Sequence, residues 1–434
     1  MNKSKSYACS ECGASQPQWL GRCPSCGAWG SIAKEETSGR GKRPVRLDQV
    51  EPEEAGRIRT GISELDRVFG GGLVKGSINL LAGDPGIGKS TLALQMSSAF
   101  DSVLYAAGEE SPSQIRLRAD RLGIDSKRIK VTTETLVEKI VAEAKELMPS
   151  LLVIDSIQTA RVETSNSVGA VNQIREAAAY LLHSLKEPRI PAILVGHVTK
   201  SGDIAGPMLL EHLVDVVLLL ESDTSGAYRL LRGLKNRFGS VDEVGLFAMG
   251  EDGMREITNP SELLLPTRTD LVPGSAVVAS LEGRRPLLIE LQALTVPTAF
   301  GTPRRLSTGI EQNRLSMLLA VLERRGGIQV GNSDVYLNSA GGFRLKEPAV
   351  DLGVEMAVAS AVLDLPVPEH AIFIGEVGLG GEIRPVGKIE SRLKEAAKLG
   401  FKSAFIPEQK IDSVSEISLR KVKHISEALC IFQK

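Results

Sequence analysis

Three groups of residues in this chain have the types and spacing to do chemistry. The first is Gly83-Asp84-Pro85-Gly86-Ile87-Gly88-Lys89-Ser90, which fits the G-x-x-x-x-G-K-[ST] phosphate-binding loop. Glycines 83, 86 and 88 let the backbone curl, so that successive N–H groups face the β- and γ-phosphates of a nucleotide. Lys89 is then placed to reach those phosphates, the Ser90 hydroxyl to ligate Mg²⁺, and Thr91 to complete the binding segment. The flanks decide the matter. Ser77-Ile78-Asn79-Leu80-Leu81-Ala82 is a strand-length apolar run, and Thr91-Leu92-Ala93-Leu94-Gln95-Met96 continues as a helix. A glycine-rich turn that merely precedes Lys-Ser needs neither flank. A nucleoside triphosphate is the expected ligand.

The second group is carboxylates. Leu151-Leu152-Val153-Ile154 is an apolar run ending in Asp155, the pattern of a Walker B strand whose carboxylate joins the Mg²⁺ shell. Such runs are common, and this one draws its weight from following a phosphate loop. Ser102-Val103-Leu104-Tyr105-Ala106 leads into Gly108-Glu109-Glu110. A glutamate there can orient or deprotonate the attacking water. Glu109 is the first candidate; Glu110 is equally explained as a charge favoured near a helix start. Ser111-Pro112-Ser113-Gln114 has the form of a capping box. Ile193-Leu194-Val195 delivers Gly196-His197-Val198-Thr199-Lys200 to the same edge, where His197 or Thr199 can sense the γ-phosphate. A lone histidine is as readily structural.

The third group is cysteines at 9, 12, 23 and 26, in Cys-Ser-Glu-Cys-Gly and Cys-Pro-Ser-Cys-Gly. Two C-x-x-C pairs, each followed by glycine, suit two zinc knuckles whose backbone N–H groups turn toward the thiolates. A redox dithiol needs only one pair. So short a segment buries too little surface to fold alone, and Zn²⁺ supplies its folding energy. Trp19 and Trp29 are expected to pack around this ribbon, and Cys430 to be a buried small hydrophobe.

These groups need elements to hold them. With 434 residues, two or three domains are expected. The apolar content of 42% is that of a soluble globular protein, and no run of about 18 uncharged apolar residues suggests a membrane span. The start, Met1-Asn2-Lys3-Ser4-Lys5, lacks an apolar signal core, so a cytoplasmic location is expected. A net charge of −1 excludes a wholesale nucleic-acid coat and leaves only local patches. Short strands alternating with helices from Arg59 to about Thr258 imply a parallel sheet of βαβ units. The expected division is a four-cysteine zinc module at 1–30, a linker at 31–56, an ATPase domain at 57–258, a linker at 259–272 and a further α/β domain at 273–434.

The segment Arg59-Thr60-Gly61-Ile62-Ser63-Glu64-Leu65-Asp66, with Gly70-Gly71-Gly72-Leu73 ahead of the phosphate loop, resembles the opening of the RecA/KaiC ATPases. The order of cysteine knuckle, RecA-like core, Lys235-Asn236-Arg237-Phe238-Gly239 and Lon-like tail resembles the bacterial RadA (Sms) recombination family along essentially the whole chain. That resemblance implies a DNA-dependent ATPase and 5'-3' helicase. It implies a hexameric ring on single-stranded and branched DNA that drives branch migration of RecA-mediated strand exchange. By position, Lys89, Ser90, Asp155 and Glu109 take the family's nucleotide roles. Lys235 and Arg237 take the motif that couples ATP to DNA, either as DNA contacts or as cations reaching a neighbour's γ-phosphate.

The tail resembles Lon proteases, which use a Ser–Lys dyad. Laid on the Lon segments, Ala349 falls at the serine and Glu390 at the lysine; neither can supply nucleophile or base. Ser339 is a candidate substitute nucleophile, but it precedes Ala349 by ten positions. A peptidase-inert domain is expected, serving ring assembly, with a DNA surface drawn from Arg304, Arg305, Arg314, Arg344, Lys346 and Lys388. A chain ending at Thr258 is expected to keep ATP binding and lose the ring.

Overall fold

The computed structural model describes residues 7–9, 11, 14–16, 20–29, 31–34, 46, 48, 56–163, 171–197, 210–222, 226, 228–265, 271–298, 301–411, 414 and 416–433. The chain divides into two compact units, Met1–Glu54 and Ala55–Lys434.

In the first unit, β1 (Tyr7–Cys9), β2 (Ser15–Gln16) and β3 (Ile32–Lys34) form an antiparallel sheet in the order β2-β1-β3. Ile32 pairs with Cys9 and Lys34 with Tyr7, so the ribbon runs past residue 30 and takes in the start of the expected linker. Trp29 corrects a further expectation. Its side chain is 77% exposed, with the Arg22 guanidinium 5.8 Å above the ring, so it packs against a cation at the surface and contributes no core. Trp19 lies outside the described residues.

The second unit opens with a small hairpin, β4 (Arg57–Ile58) and β5 (Leu73–Val74), around helix α1 (Ser63–Phe69). The main sheet then forms from β6 (Ile78–Gly83), β7 (Val103–Ala107), β8 (Ile129–Thr132), β9 (Leu151–Asp155), β10 (Ala192–His197), β11 (Val216–Ser222), β12 (Tyr228–Asn236), β13 (Val244–Gly250) and β14 (Gly253–Glu256). Their order is β14-β13-β12-β11-β6-β10-β9-β7-β8. The six strands from β11 to β8 are parallel, whereas β11 to β14 run antiparallel. The expectation of βαβ units as far as Thr258 therefore fails for the last third. Only two residues, Glu251 and Asp252, join β13 to β14, and a parallel crossover needs a dozen or more.

Helices α2 (Lys89–Ser97), α3 (Pro112–Arg121), α4 (Val137–Leu147) and α5 (Val171–Leu185) flank that sheet. Alternate side chains of a strand go to opposite faces. Leu80, Ile154 and Leu194 accordingly pack with α4 and α5, while Leu81, Val153 and Val195 pack with α2 and α3. The capping box at the start of α3 is present. The Ser111 hydroxyl accepts from the Gln114 amide while the Gln114 side chain returns to the Ser111 amide.

Beyond Thr258, α6 (Pro260–Leu264) leads into a seven-stranded sheet. Its strands are β15 (Ser275–Glu282), β16 (Arg285–Pro297), β17 (Arg305–Thr308), β18 (Ser333–Ser339), β19 (Ala371–Phe373), β22 (Ser403–Pro407) and β23 (Ser418–Val422), with the short pair β20 (Glu376–Val377) and β21 (Ile383–Arg384) beside them. Helices α7 (Gln312–Gly326), α8 (Asp351–Leu363), α9 (Ile389–Lys398) and α10 (Ile425–Leu429) complete it. Cys430 sits exposed just after α10, its thiol on the Ser426 carbonyl, so it is no core hydrophobe.

The expected linker at 259–272 is in part core. Ser261 is fully buried and its hydroxyl accepts from the Leu288 amide at 3.2 Å, and Leu264 is buried as well. Leu230, Val244, Leu246 and Ile257 from the first sheet share one apolar cluster with Leu264, Leu287, Ile289 and Phe343. The turn between β15 and β16 docks on the same side. There Arg285 pairs with the buried Glu64 at 2.5 Å, and Arg232 with Glu282 at 2.8 Å.

Candidate nucleotide site and metal ribbon

The parallel strands end together, and the candidate residues collect at that edge. Gly83 closes β6, where an added Cβ would meet the Leu220 carbonyl oxygen at 2.5 Å. Gly88 has φ of +113° at the N-terminus of α2, a left-handed conformation that glycine adopts without strain. The loop between them leads into the start of α2, where the helix dipole favours an anion.

The buried Lys89 ammonium donates to the carbonyls of Gly83 at 3.0 Å and Asp84 at 2.8 Å, and lies 3.0 Å from His197 Nδ1. Burial holds its pKa below the ordinary lysine value, while Asp155, Asp84 and Glu109 act in the opposite sense. An ammonium can only donate, so His197 Nδ1 is the acceptor and its ring proton sits on Nε2. That nitrogen lies 3.8 Å from Glu109 Oε1. Burial and the neighbouring Lys89 push the His197 pKa below its ordinary value, so the imidazole is neutral at pH 7.

Glu109 and Glu110 part company. Glu109 accepts from the Ser156 hydroxyl and faces His197. Glu110 is paired with Arg118 of α3, which occupies it structurally. Asp155 ends β9 and accepts from the Tyr105 hydroxyl at 2.6 Å. Ser90 and Thr91 lie in the first turn of α2, beside Lys89. Thr199 lies outside the described residues.

Three contributors were missed. Ser156 follows Asp155 directly, Tyr105 is the one polar tip in a buried strand, and Arg229 donates to the Ile87 carbonyl of the loop at 3.3 Å. For Tyr105 the available signal was a phenol placed in an otherwise apolar run, because buried hydroxyls take partners.

Lys235, Asn236, Arg237, Phe238 and Gly239 do not join this group. Asn236 pairs with Val216 at the beginning of β11, and β11 runs parallel to β6. The pentapeptide therefore sits at the amino edge of the sheet, one length of β6 away from the phosphate loop, roughly 17 Å at 3.3 Å per residue. Lys235 donates to the carbonyls of Glu211 and Val214, and Arg237 pairs with Asp215 at 3.1 Å. Asn236 donates to the Phe69 carbonyl at the end of α1, and Arg57 holds the Phe238 carbonyl. Lys235 and Asn236 are the last residues of β12.

In the ribbon, the sulfurs of Cys9, Cys23 and Cys26 lie within 4.8 Å of one another, and those of Cys9 and Cys26 are 3.6 Å apart. Two thiolates on one tetrahedral zinc at 2.3 Å stand about 3.8 Å apart, so the set fits Zn²⁺. Gly27, at φ +79°, makes the turn. The amide of Cys26 faces the Cys23 sulfur and lowers that thiol's pKa. Cys12 lies outside the described residues.

Residues 58–244 match the KaiC ATPase family model, residues 7–34 a rubredoxin metal-binding domain, and residues 312–410 the ChlI subunit of Mg-chelatase. A KaiC-like protein from Pyrococcus horikoshii OT3 covers 47% of this chain at 22% identity, with a TM-score of 0.40. Sheet order, phosphate loop and terminal carboxylates define a RecA-like P-loop ATPase with a zinc ribbon before it and a ChlI-type, Lon-like domain after it. ATP and Mg²⁺ go with the ATPase domain, and Zn²⁺ with the ribbon and its clustered thiols. The chain is 46% identical to DNA repair protein RadA of Bacillus subtilis (strain 168), covering 99% of each. It is 48% identical to DNA repair protein RadA of Pseudomonas aeruginosa, covering 92% of each. It belongs to the RadA family. Among the described residues, no helix is long and apolar enough to cross a membrane.

Proposed function

We propose that this chain is an ATP-driven DNA motor of recombinational repair, acting as a cytoplasmic hexameric ring on single-stranded and branched DNA. Its task is to extend RecA-initiated strand exchange by branch migration. One observation carries the reading. The nucleotide residues gather at the carboxyl edge of the sheet, while Lys235 and Arg237 stand at the amino edge of the same subunit. They cannot reach the phosphates bound by their own chain. To meet DNA or the nucleotide of an adjacent subunit, Lys235 would exchange the Glu211 and Val214 carbonyls, and Arg237 its Asp215 partner, an arrangement that makes hydrolysis answer to assembly.

The proposed roles follow from geometry. Gly83, Asp84, Pro85, Gly86, Ile87, Gly88, Lys89, Ser90 and Thr91 cradle the triphosphate, with Lys89 exchanging its carbonyl partners for phosphate oxygens. Ser90 and Asp155 would hold Mg²⁺, which would supply neutralising charge at the phosphates. Glu109 orients the attacking water and accepts its proton. His197 lies between Lys89 and Glu109, so a change at the phosphates is felt at the base. Cys9, Cys12, Cys23 and Cys26 hold Zn²⁺, and the ribbon serves partner recognition.

A protease is the competing reading, and the tail disfavours it. Ala349 is buried and offers a methyl where a nucleophile is needed. Ser339 is fully buried and donates its hydroxyl to the Phe343 carbonyl at 2.6 Å. Of the six cations assigned to a DNA surface, Arg305 holds the Ser333 and Val330 carbonyls and Arg314 holds Asp351. Arg304, Arg344, Lys346 and Lys388 remain candidates; among the described residues none of the four forms an ion pair. The test is strand displacement from a forked duplex. Lys235→Ala should bind ATP normally and displace no strand, and displacement at the normal rate would contradict the coupling role.

A further inference from the structure

We infer that Tyr105 is the residue that positions the Asp155 carboxylate for magnesium. This rests on the reading of Asp155 given above and extends it to a residue with no assigned part in the nucleotide site.

Tyr105 is the third residue of β7, a strand buried along its whole length. β7 lies beside β9 with Tyr105 opposite Val153 and Ala107 opposite Asp155. Residues two apart on a strand share a face, so Tyr105 and Asp155 project to the same side, one step apart along the strands. The phenol reaches across that step, and its hydroxyl donates to Asp155 Oδ2 at 2.6 Å. It is the one side-chain hydrogen bond of Asp155 among the described residues. A carboxylate only accepts, so the phenol is the donor in this pair.

Two consequences follow. The χ2 torsion of an aspartate is broad and nearly free, so without a partner the carboxylate swings. With Oδ2 occupied, the carboxylate is held in one orientation, in which it would meet the metal. The surroundings hold the phenol in place: Tyr105 is buried in one apolar cluster with Ala107 and Val153. Donors behind a metal ligand typically contribute 10–100-fold in metal affinity. A hydroxyl that merely satisfies a core carboxylate would contribute nothing there.

The full-length protein should be titrated with Mn²⁺ in the presence of ADP, reading free Mn²⁺ by electron paramagnetic resonance. Wild type, Tyr105→Phe and Asp155→Asn would be compared, with ADP binding in EDTA as a reference. Tyr105→Phe should weaken Mn²⁺ binding about tenfold or more and leave metal-free ADP binding unchanged. Mn²⁺ affinity within twofold of wild type would overturn the inference. So would loss of ADP binding in EDTA, which would mark the hydroxyl as a fold determinant. If Asp155→Asn loses Mn²⁺ while Tyr105→Phe does not, only the role of Tyr105 falls. If Asp155→Asn binds Mn²⁺ normally, the reading of Asp155 falls with it.

Discussion

The Lys89 ammonium and the His197 imidazole are 3.0 Å apart, with the lysine donating to Nδ1 and the opposite ring nitrogen turned toward Glu109. A phosphate-binding cation and a candidate base are thereby joined through one neutral ring. The contact requires an unprotonated histidine, so it sets a direction for pH dependence.

Burial and Lys89 lower the His197 pKa, with Glu109 and Asp155 acting the other way. Protonation therefore begins below the ordinary histidine value of about 6.5. The contribution to stability is present at neutral pH and fades as pH falls through 6.5, because the unfolded chain takes the proton first. ATP turnover should hold through about pH 6.5 and fall only below it, as the folded His197 takes its proton. His197→Gln, which cannot titrate, should shift or flatten that acid limb. An unchanged limb would place its origin in another group.

Glu355 gives a second pH effect of the opposite sign. Both its oxygens are buried without a hydrogen-bond partner among the described residues, and burial, then Asp351, raise its pKa well above the usual range against the pull of Arg314. The folded state holds the proton after the unfolded chain has lost it. Stability therefore drops as pH rises from about 4.5 toward the folded pKa. Glu355→Gln mimics the protonated acid, so it should raise the thermal midpoint at pH 8 and change little at pH 5.

Glu64 is fully buried, and its carboxylate is held by Arg285 at 2.5 Å and by the Leu246 amide at 3.0 Å. Arg285→Ala leaves that charge buried with its main partner gone, a loss of about 3–5 kcal/mol. Thermal unfolding should show it, and adding Glu64→Gln should recover much of the loss. The shared apolar cluster has a parallel consequence. Ending the chain at Thr258 exposes Leu230, Val244 and Leu246, so that fragment should aggregate, where the sequence suggested a soluble ATP-binding domain.

Zinc removal should act locally, because the ribbon is a compact unit of its own. Chelation or Cys23→Ser should unfold residues 7–34, as measured by amide exchange, and leave ATP affinity unchanged. A parallel loss of ATP binding would show that the ribbon supports the nucleotide site.

The residues that could be read from sequence act locally. The phosphate loop, Asp155 and the α3 capping box each depend on spacing within a few residues, and they lie where spacing placed them. The relationships that were missed are long-range. Nothing near Tyr105 announces Asp155, fifty positions away, and nothing near Lys89 announces His197. Leu230 and Leu231 look alike in sequence, yet they enter different cores on opposite faces of β12. Trp29 was misread for the reverse reason, since hydrophobicity alone does not say whether a ring is buried or capped by a cation.

The measurement closest to the central claim is steady-state ATP turnover with and without single-stranded DNA, using Lys89→Ala as the blank and Lys235→Ala beside wild type. The account predicts DNA-stimulated turnover in wild type, none in Lys89→Ala, and unstimulated basal turnover in Lys235→Ala. Wild-type turnover indifferent to DNA, with Lys89→Ala still inactive, would leave an ATPase and contradict the motor.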